Sequence, residues 1–241
     1  MSGITWHELF TDDVEGATRF YSELLGAEIE TQRVADFEYP MLKKGDGMHA
    51  GFVAKGEGQA QIPSHWYPYI HADDVDASVA TATSLGAQLI HGPADVGDLL
   101  RFAVLGDPQH ATFGVMTGGA EAPKGVFAWD ELHAIDTAAA ASFYGGLAGW
   151  TTRPMFIDGY EVFNAGETDF GGLMQERGGS PAAYWLAYFA VDDADGVAAK
   201  AMKLGAGMVV PPESMAEIGR YAVLTDPTGA AFGIHQSPGE S

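Results

Sequence analysis

The fold of this chain is decided by one stretch near its start, Trp6-His-Glu-Leu-Phe-Thr-Asp-Asp-Val-Glu-Gly-Ala-Thr-Arg-Phe-Tyr-Ser-Glu-Leu-Leu-Gly26. A short strand pattern leads into an Asp pair, apolar residues at helical spacing follow, and a glycine ends the run. The same order of features returns at Trp129–Gly149, where 9 of 21 positions are identical. The 241 residues therefore contain two homologous halves, each of about 120 residues.

Each half contains a fainter repeat of its own. Asp12-Asp13-Val14 recurs as Asp73-Asp74-Val75, and Gly26-Ala27 recurs as Gly86-Ala87. Each of the four resulting modules begins with a strand, continues through an Asp helix cap, a helix and a terminating glycine, and ends in short strands. We predict an α+β fold of four βαβββ modules with curved, mixed sheets. The domains are expected at 1–118 and 125–241, with a turn-rich linker at 119–124.

Composition and charge exclude several classes of function. Lys and Arg number 12 against 33 Asp and Glu, so the formal charge is −21 and binding to nucleic acid or to an anionic membrane is disfavoured. The absence of Cys removes disulfides, thiolate nucleophiles and thiolate metal ligands. No apolar run approaches a membrane span, and the first residues show no secretory signal, so a cytoplasmic location is expected.

Four motifs in register with the repeat carry a family resemblance. The first half has Asp13-Val-x-x-Ala-x-x-Phe-Tyr21 and Asp107-Pro-Gln-His-Ala-x-Phe-Gly114, and the second has Asp136…Ala140-x-x-Phe-Tyr144 and Asp226-Pro-Thr-Gly-Ala-x-Phe-Gly233. The chain resembles the vicinal oxygen chelate superfamily, which includes glyoxalase I, bleomycin-resistance proteins and extradiol dioxygenases. Within it, the chain is most similar to the tandem-domain glyoxalase-like proteins of bacteria. The resemblance implies two cup-shaped sheets, each closed by two modules, with helices on the outer face.

The resemblance also implies where a divalent metal would bind, through His, Gln or Glu on the first and last strands of each module. The first-strand positions are occupied here by Trp6, Tyr67, Trp129 and Leu186, and the last-strand positions by Gly51, Gly114, Gly172 and Gly233. None of these side chains holds a divalent metal well. We therefore predict no metal site at the usual positions and no cofactor, while a shifted site of Glu8, His49 and His71 remains an alternative.

Strand alternation indicates which side chains line the cups instead, and it directs His7, Leu9, Ile70, Phe113 and Val115 toward the helices. Glu8 and Glu131 repeat at one position among aromatic residues, where a carboxylate could act as general acid or base, or could pair structurally with Arg101 or Arg220. The first cup is the more polar, so we expect the chemistry there. The predicted catalytic residues are Glu8, Tyr69 and His71. The predicted ligand-binding residues are Trp6, His49, Tyr67, Trp129, Glu131, His133, Tyr188 and His235.

Several functions remain open from the sequence. The first is a metal-free lyase, isomerase or oxygenase that transforms a small oxygenated or aromatic molecule. The second is a non-catalytic drug- or metabolite-binding protein of the bleomycin-resistance type. The third is a metal-dependent lyase or dioxygenase that uses the shifted set of Glu8, His49 and His71. A protein-interaction module with filled cups is a weaker alternative. The expected partner is a small molecule, and the chain could be a monomer or a homodimer.

Overall fold

The computed structural model describes residues 3–34, 37–118 and 125–239, so the predicted linker at 119–124 lies outside the described residues. Each of the four modules has the predicted order βαβββ. The first half contains β1 (Ile4–Thr11), α1 (Val14–Leu25), β2 (Glu28–Val34), β3 (Phe37–Lys44), β4 (Gly47–Ala54), β5 (His65–His71), α2 (Val75–Ser84), β6 (Gln88–Val96), β7 (Leu100–Gly106) and β8 (Thr112–Met116). The second half contains β9 (Phe127–Ala134), α3 (Thr137–Ala148), β10 (Thr151–Pro154), β11 (Tyr160–Ala165), β12 (Thr168–Gln175), β13 (Tyr184–Ala190), α4 (Ala194–Lys203), β14 (Gly207–Met215), β15 (Gly219–Thr225) and β16 (Ala231–Gln236).

The strands form two eight-stranded mixed sheets, which confirms the predicted α+β architecture. The strand order is β2-β3-β4-β1-β5-β8-β7-β6 in one sheet and β10-β11-β12-β9-β13-β16-β15-β14 in the other. β1 runs parallel to β4 with Glu8 opposite Gly51, and β9 runs parallel to β12 with Glu131 opposite Gly172. The two repeated glutamates therefore occupy equivalent register positions, each beside a glycine.

All four helices begin at the predicted Asp caps. Asp13, Asp74, Asp136 and Asp193 each accept a hydrogen bond from the backbone N–H three residues ahead. This bond satisfies one of the donors that the first helical turn leaves free. α1 and α3 end at Gly26 and Gly149, both in the left-handed region with φ of 61° and 67°. Glycine suits these positions because a Cβ disfavours that conformation.

Contacts divide the chain into two compact units, each of which combines modules from both halves. The unit named here the 2–3 unit contains residues 3–6, 67–118 and 129–186, and the 1–4 unit contains residues 7–34, 37–66, 125–128 and 187–239. In the 1–4 unit, Leu9 and Phe52 are buried in one core with Phe189 and Phe232. In the 2–3 unit, a second core includes Ile70, Phe113 and Val115. Leu9, Ile70, Phe113 and Val115 therefore face the apolar cores, as their strand positions predict.

A buried hydrogen-bond chain in each unit explains the Phe-Tyr and Asp-Pro motifs. In the 1–4 unit, Trp66 Nε1 donates to Tyr21 Oη (2.8 Å), which donates to Asp226 Oδ2 (3.0 Å). In the 2–3 unit, Trp185 Nε1 donates to Tyr144 Oη (3.1 Å), which donates to Asp107 Oδ2 (3.2 Å). Each chain joins the helix of one half to the Asp-Pro turn of the other, so these motif residues hold modules together.

Burial raises the pKa values of the Asp and Tyr side chains in both hydrogen-bond chains. Loss of hydration raises the pKa of Asp226 and Asp107, although hydrogen bonds from backbone N–H groups and hydroxyls oppose the shift. Burial also raises the pKa of Tyr21 and Tyr144 well above the usual phenol value, and the nearby carboxylates add to that rise. Among the described residues, no helix combines the length and the apolar character needed to cross a membrane.

Candidate functional site

The four last-strand positions at which the superfamily carries metal ligands are closely covered by aromatic rings. A Cβ built on Gly114 would lie 2.6 Å from Tyr69 Cγ, and one on Gly233 would lie 2.5 Å from Tyr188 Cγ. A Cβ on Gly51 would lie 2.8 Å from Tyr39 Cε2. These separations are far inside van der Waals contact.

The fourth position, Gly172, follows the same pattern. A Cβ there would overlap the hydroxyl of Tyr160 and would lie 3.0 Å from Trp129 Nε1. A side chain long enough to ligate a metal at any of these glycines would have to displace a tyrosine. Because the first-strand positions also hold Trp, Tyr or Leu, the superfamily's divalent metal does not fit its usual positions in this chain.

In the first module, one of these tyrosines bonds the repeated glutamate. Tyr39 Oη donates to Glu8 Oε1 at 2.6 Å, and Glu8 is only 7% exposed. The bond spans from β3 to β1 across β4, with Gly51 leaving room for the tyrosine. The sequence prediction missed Tyr39. The signal that could have found it is the repeat, since Tyr39 and Tyr160 are spaced like Gly51 and Gly172.

The third module carries a larger cluster around the equivalent glutamate. Tyr160 Oη donates to Glu131 Oε2 (2.8 Å) and accepts from Trp129 Nε1 (2.8 Å). His133 Nε2 lies 2.7 Å from Glu131 Oε1, and the His133 ring stacks on Tyr184 with centroids 4.6 Å apart and planes 9° from parallel. Since a carboxylate only accepts, the imidazole nitrogen must be the donor. The structure thus brings together the predicted residues Trp129, Glu131 and His133, and adds Tyr160 and Tyr184.

The electrostatics of this cluster keep its phenols protonated. Burial is the largest cause that raises the pKa of Tyr160, followed by the Glu131 charge, while the bond from Trp129 acts in the opposite direction. Burial likewise raises the pKa of Tyr184 to about 12, with Glu176 and Glu131 adding to it. Tyr160 is therefore a neutral donor to the carboxylate at physiological pH.

The other predicted histidines bond to their own surroundings. His71 Nε2 lies 3.4 Å from Asp73 Oδ1, and a third of its side chain is exposed. His49 is buried and its Nε2 lies 3.2 Å from the Lys44 carbonyl oxygen. Across the described ranges, no three His, Asp or Glu side chains form a group that could hold a metal, so Glu8, His49 and His71 are not brought together in that way.

The remaining predicted ligand residues lie on the strands where the sequence placed them. Tyr67 and Tyr69 are buried neighbours on β5 with hydroxyls 3.5 Å apart, and Tyr188 is buried against Gly233. Trp6 is half-buried on β1, two residues before Glu8. His235 Nε2 donates to the Ile218 carbonyl oxygen at 2.8 Å.

His235 also lines a cavity of 580 Å³ in the 1–4 unit. The cavity walls include Leu24, Lys44, Val197 and Gln236.

The proposed pairing of the glutamates with Arg101 or Arg220 is wrong. Arg101 Nε lies 2.7 Å from Asp76 Oδ2, and Arg220 Nε lies 2.6 Å from Asp195 Oδ2. Each arginine makes a two-pronged bond with an aspartate in the first turn of α2 or α4. That geometry matches the guanidinium fork to a carboxylate on the helix side of the sheet.

The tandem βαβββ modules and mixed sheets define a protein of the vicinal oxygen chelate superfamily. Residues 7–116 and 129–235 match the family described as "Glyoxalase-like domain", and the chain belongs to that family.

Two relatives align over nearly the whole chain. "Putative glyoxylase CFP32" of Mycobacterium tuberculosis is 32% identical, over 95% of this chain and 92% of the relative. "Anthracycline biosynthesis protein DnrV" of Streptomyces peucetius is 30% identical, over 95% of this chain and 91% of the relative.

Solved structures share the fold at low sequence identity. The Mn(II)-bound glyoxalase from Novosphingobium aromaticivorans has a TM-score of 0.69 at 16% identity, covering 97% of this chain and 81% of that one. The 2,3-dioxygenase LapB from Pseudomonas sp. KL28 has a TM-score of 0.68 at 10% identity, covering 100% and 95%. A variant of homoprotocatechuate 2,3-dioxygenase from B. fuscum is similar to the same degree, and its structure is a complex with HPCA.

Proposed function

We propose that this protein binds a small oxygenated or aromatic molecule on the sheet faces opposite the helices and transforms it by proton transfer, with Glu8 and Glu131 as the proton-accepting groups. The observation that carries the proposal is the repeated arrangement of a buried glutamate, a tyrosine hydroxyl bonded to it, and a glycine beneath the tyrosine. A buried carboxylate fixed by such bonds is oriented before a ligand arrives, and fixed orientation lowers the cost of reaction.

The chemistry that suits a fixed carboxylate is removal of a proton from carbon beside a carbonyl. The C–H bond breaks, the proton passes to the glutamate, and the bonding electron pair moves onto the carbonyl oxygen to give an enolate. Return of the proton to the same carbon completes an exchange. In a hydroxy ketone, its return to the former carbonyl carbon, with the hydroxyl proton passing to the other oxygen, completes an isomerisation without any oxidant or reductant. General base catalysis by a positioned carboxylate contributes about 10²–10⁴-fold to such a step.

The aromatic residues supply the binding surface in this proposal. Large aromatic side chains that can contact a flat ligand are present in both halves: Trp6, Tyr67, Tyr69, Trp129 and Tyr188. Tyr69 is proposed to donate a hydrogen bond to the substrate oxygen, and His71 to polarise it from the end of β5. Two relatives are named "Putative glyoxylase CFP32" and "Anthracycline biosynthesis protein DnrV", and these names support a role in small-molecule chemistry.

No step of this proposal is routed through a metal, because the glycines and aromatic residues do not provide ligands at the superfamily's positions. The −21 charge favours neutral substrates over anionic ones. The probes are therefore chosen as neutral hydroxy ketones, hydroxyacetone for an aliphatic substrate and 2-hydroxyacetophenone for an aromatic one.

The test is hydrogen–deuterium exchange at the carbon beside the carbonyl, followed by proton NMR in D₂O. We expect the protein to accelerate exchange of at least one probe. The double variant with Glu8→Gln and Glu131→Gln should lose about 100-fold or more of that rate. Gln keeps the shape of Glu but loses its basicity and replaces one accepting oxygen with an NH₂ donor. Thermal unfolding of each variant therefore shows whether a loss of rate reflects a loss of folded protein.

Two results would contradict the proposal. Exchange that is unchanged in the double variant would remove the glutamates from the mechanism. Saturable binding of a probe without any exchange would favour the non-catalytic binding protein instead. Isothermal titration calorimetry on the same samples separates that result from a complete absence of binding.

A further inference from the structure

Each glutamate accepts a hydrogen bond from its own tyrosine, Tyr39 for Glu8 and Tyr160 for Glu131, and the third module adds a histidine. In the third module His133 lies 2.7 Å from Glu131. The first-module residue equivalent to His133 is Phe10, because the two stretches align with an offset of 123. Phe10 cannot donate a hydrogen bond to a carboxylate. The repeat therefore contains a natural comparison, one glutamate with an imidazole donor on its own strand and one with a phenyl ring in that place.

The aromatic neighbours of these two residues also differ between the halves, because the position of Tyr184 in the second half is occupied by His65 in the first. His133 stacks on Tyr184, whereas Phe10 contacts His65 edge-on with centroids 5.7 Å apart. His65 Nδ1 lies 2.9 Å from the Pro63 carbonyl oxygen, and burial lowers the pKa of His65. Nδ1 of His65 is thus bonded to backbone, and Nε2 of His133 is bonded to the repeated glutamate.

Three further features fix the second-half arrangement. The side chains of His133 and Glu131 are only 15% and 10% exposed. Tyr184 covers one face of the imidazole, which limits rotation of the ring. The other carboxylate oxygen is held by Tyr160, which is itself held by Trp129. Both oxygens of Glu131 are thereby oriented by side chains that are fixed in turn.

We propose that proton transfer is concentrated in the C-terminal half, at a site of Glu131, His133 and Tyr160 that acts on a neutral carbon acid beside a carbonyl. Glu131 takes the proton. His133 is a positioning residue that donates Nε2–H to Glu131 Oε1, and Tyr160 donates to Oε2. This inference rests on the proposed function and replaces the expectation that the first cup is the reactive one. Glu8 in the first half then contributes the smaller part of the rate.

The test compares equivalent variants in the two halves by the same NMR exchange assay. Glu131→Gln should lower the exchange rate about 100-fold or more, and at least about tenfold further than Glu8→Gln lowers it. His133→Phe copies the first half, and should lower the maximal rate about tenfold with little change in the half-saturating concentration, since it removes one hydrogen bond to a charged group. His133→Gln offers an N–H in a similar place and should restore part of that loss.

A spectroscopic readout tests the positioning role without activity. Nitrogen-15 NMR of the wild type should show His133 with its proton on Nε2, and Glu131→Gln should change that signal. Phe10→His serves as the matched insertion in the first half, and by the same reasoning it should raise the residual rate in a Glu131→Gln background.

The outcomes separate this inference from the function on which it rests. Exchange that survives Glu131→Gln and disappears in Glu8→Gln would overturn the inference and leave the proposed function intact. Equal losses in the two single variants would overturn the assignment to one half. An Nδ1-protonated His133, or a His133→Gln variant no better than His133→Phe, would overturn the positioning role. No exchange by the wild type would overturn both.

Discussion

Gly114→Ala is the substitution that tests most directly whether the close packing of the Tyr69 ring on Gly114 requires a glycine. The new methyl group would lie 2.6 Å from Tyr69 Cγ and closer still to two other carbons of the same ring. Tyr69 is 3% exposed, so the ring cannot move into solvent without opening the sheet face on which it lies. Gly114 and Tyr69 are also register partners on parallel strands, which prevents the backbones from separating locally.

The size of the effect follows from overpacking. Insertion of a methyl group into a filled space costs about 1–3 kcal/mol, and we expect the upper part of that range because several ring carbons are involved. For a chain of this length, each kcal/mol lowers Tm by about 2–4 °C. The matched control is Gly106→Ala, because a Cβ there meets only Ile90 Cδ1 at 3.7 Å, an ordinary contact.

Urea unfolding of a double-mutant cycle measures the coupling directly. Gly114→Ala should destabilise the wild type by about 2–3 kcal/mol, but should cost little in a Tyr69→Ala background, where the ring is gone. Gly106→Ala should have nearly the same small effect in both backgrounds. An equal cost of Gly114→Ala with and without the Tyr69 ring would refute the reasoning.

Three other predictions concern stability. Tyr21→Phe leaves Asp226 Oδ2 and Trp66 Nε1 without their bonds to the hydroxyl, so we expect a loss of about 2 kcal/mol in urea unfolding; a loss near zero would contradict the role of this chain. The raised pKa of Asp226 means that its contribution to stability is present below the unfolded pKa of about 3.9 and is lost as pH rises through the folded pKa. The wild type should therefore lose stability relative to Asp226→Asn as the pH is raised from 4 to 7, and the opposite trend would contradict the direction of the shift. Gly26→Ala should cost about 1 kcal/mol for backbone strain alone, since no atom lies within 4 Å of the new Cβ, and an unchanged Tm would show that the left-handed cap is not required.

The modular architecture follows from the sequence because its determinants are local. The helix caps at Asp13 and Asp136, the apolar helix faces and the glycines that end α1 and α3 all act within a few residues, and all were predicted. Because the sequence repeats, the βαβββ pattern recognised in one module could be assigned to all four. Strand alternation correctly placed Leu9 and Phe113 in the apolar cores, because the side-chain period of a strand is two.

The partners of the candidate residues could not be read in the same way, because they depend on strands and modules that are far apart in the chain. The bond between Tyr21 and Asp226 joins residues 205 positions apart, and nothing local marks either as the partner of the other. The partner of Glu8 was sought among cations, whereas the structure supplies a phenol that fits only because Gly51 has no side chain. Arg101 reaches an aspartate on the helix side instead.

The Gly–Tyr pairs also give the departures from the superfamily pattern a physical meaning. Loss of a ligating side chain leaves a space, and at Gly51 and Gly172 that space is used by a tyrosine that holds a glutamate. A hydrogen-bonded carboxylate thus lies directly opposite each of these two glycines, Glu8 opposite Gly51 and Glu131 opposite Gly172. This arrangement is the basis on which we assign acid–base chemistry to the inward faces of the sheets.

We propose that Glu131 accepts the proton and that this step needs no metal ion. The most direct test measures exchange of 2-hydroxyacetophenone by chelator-treated protein whose metal content has been determined by elemental analysis of the same sample. We expect an undiminished rate with substoichiometric metal, and loss of that rate in Glu131→Gln. A rate that falls with the metal content and returns on addition of Mn²⁺, Fe²⁺ or Zn²⁺ would contradict the proposal.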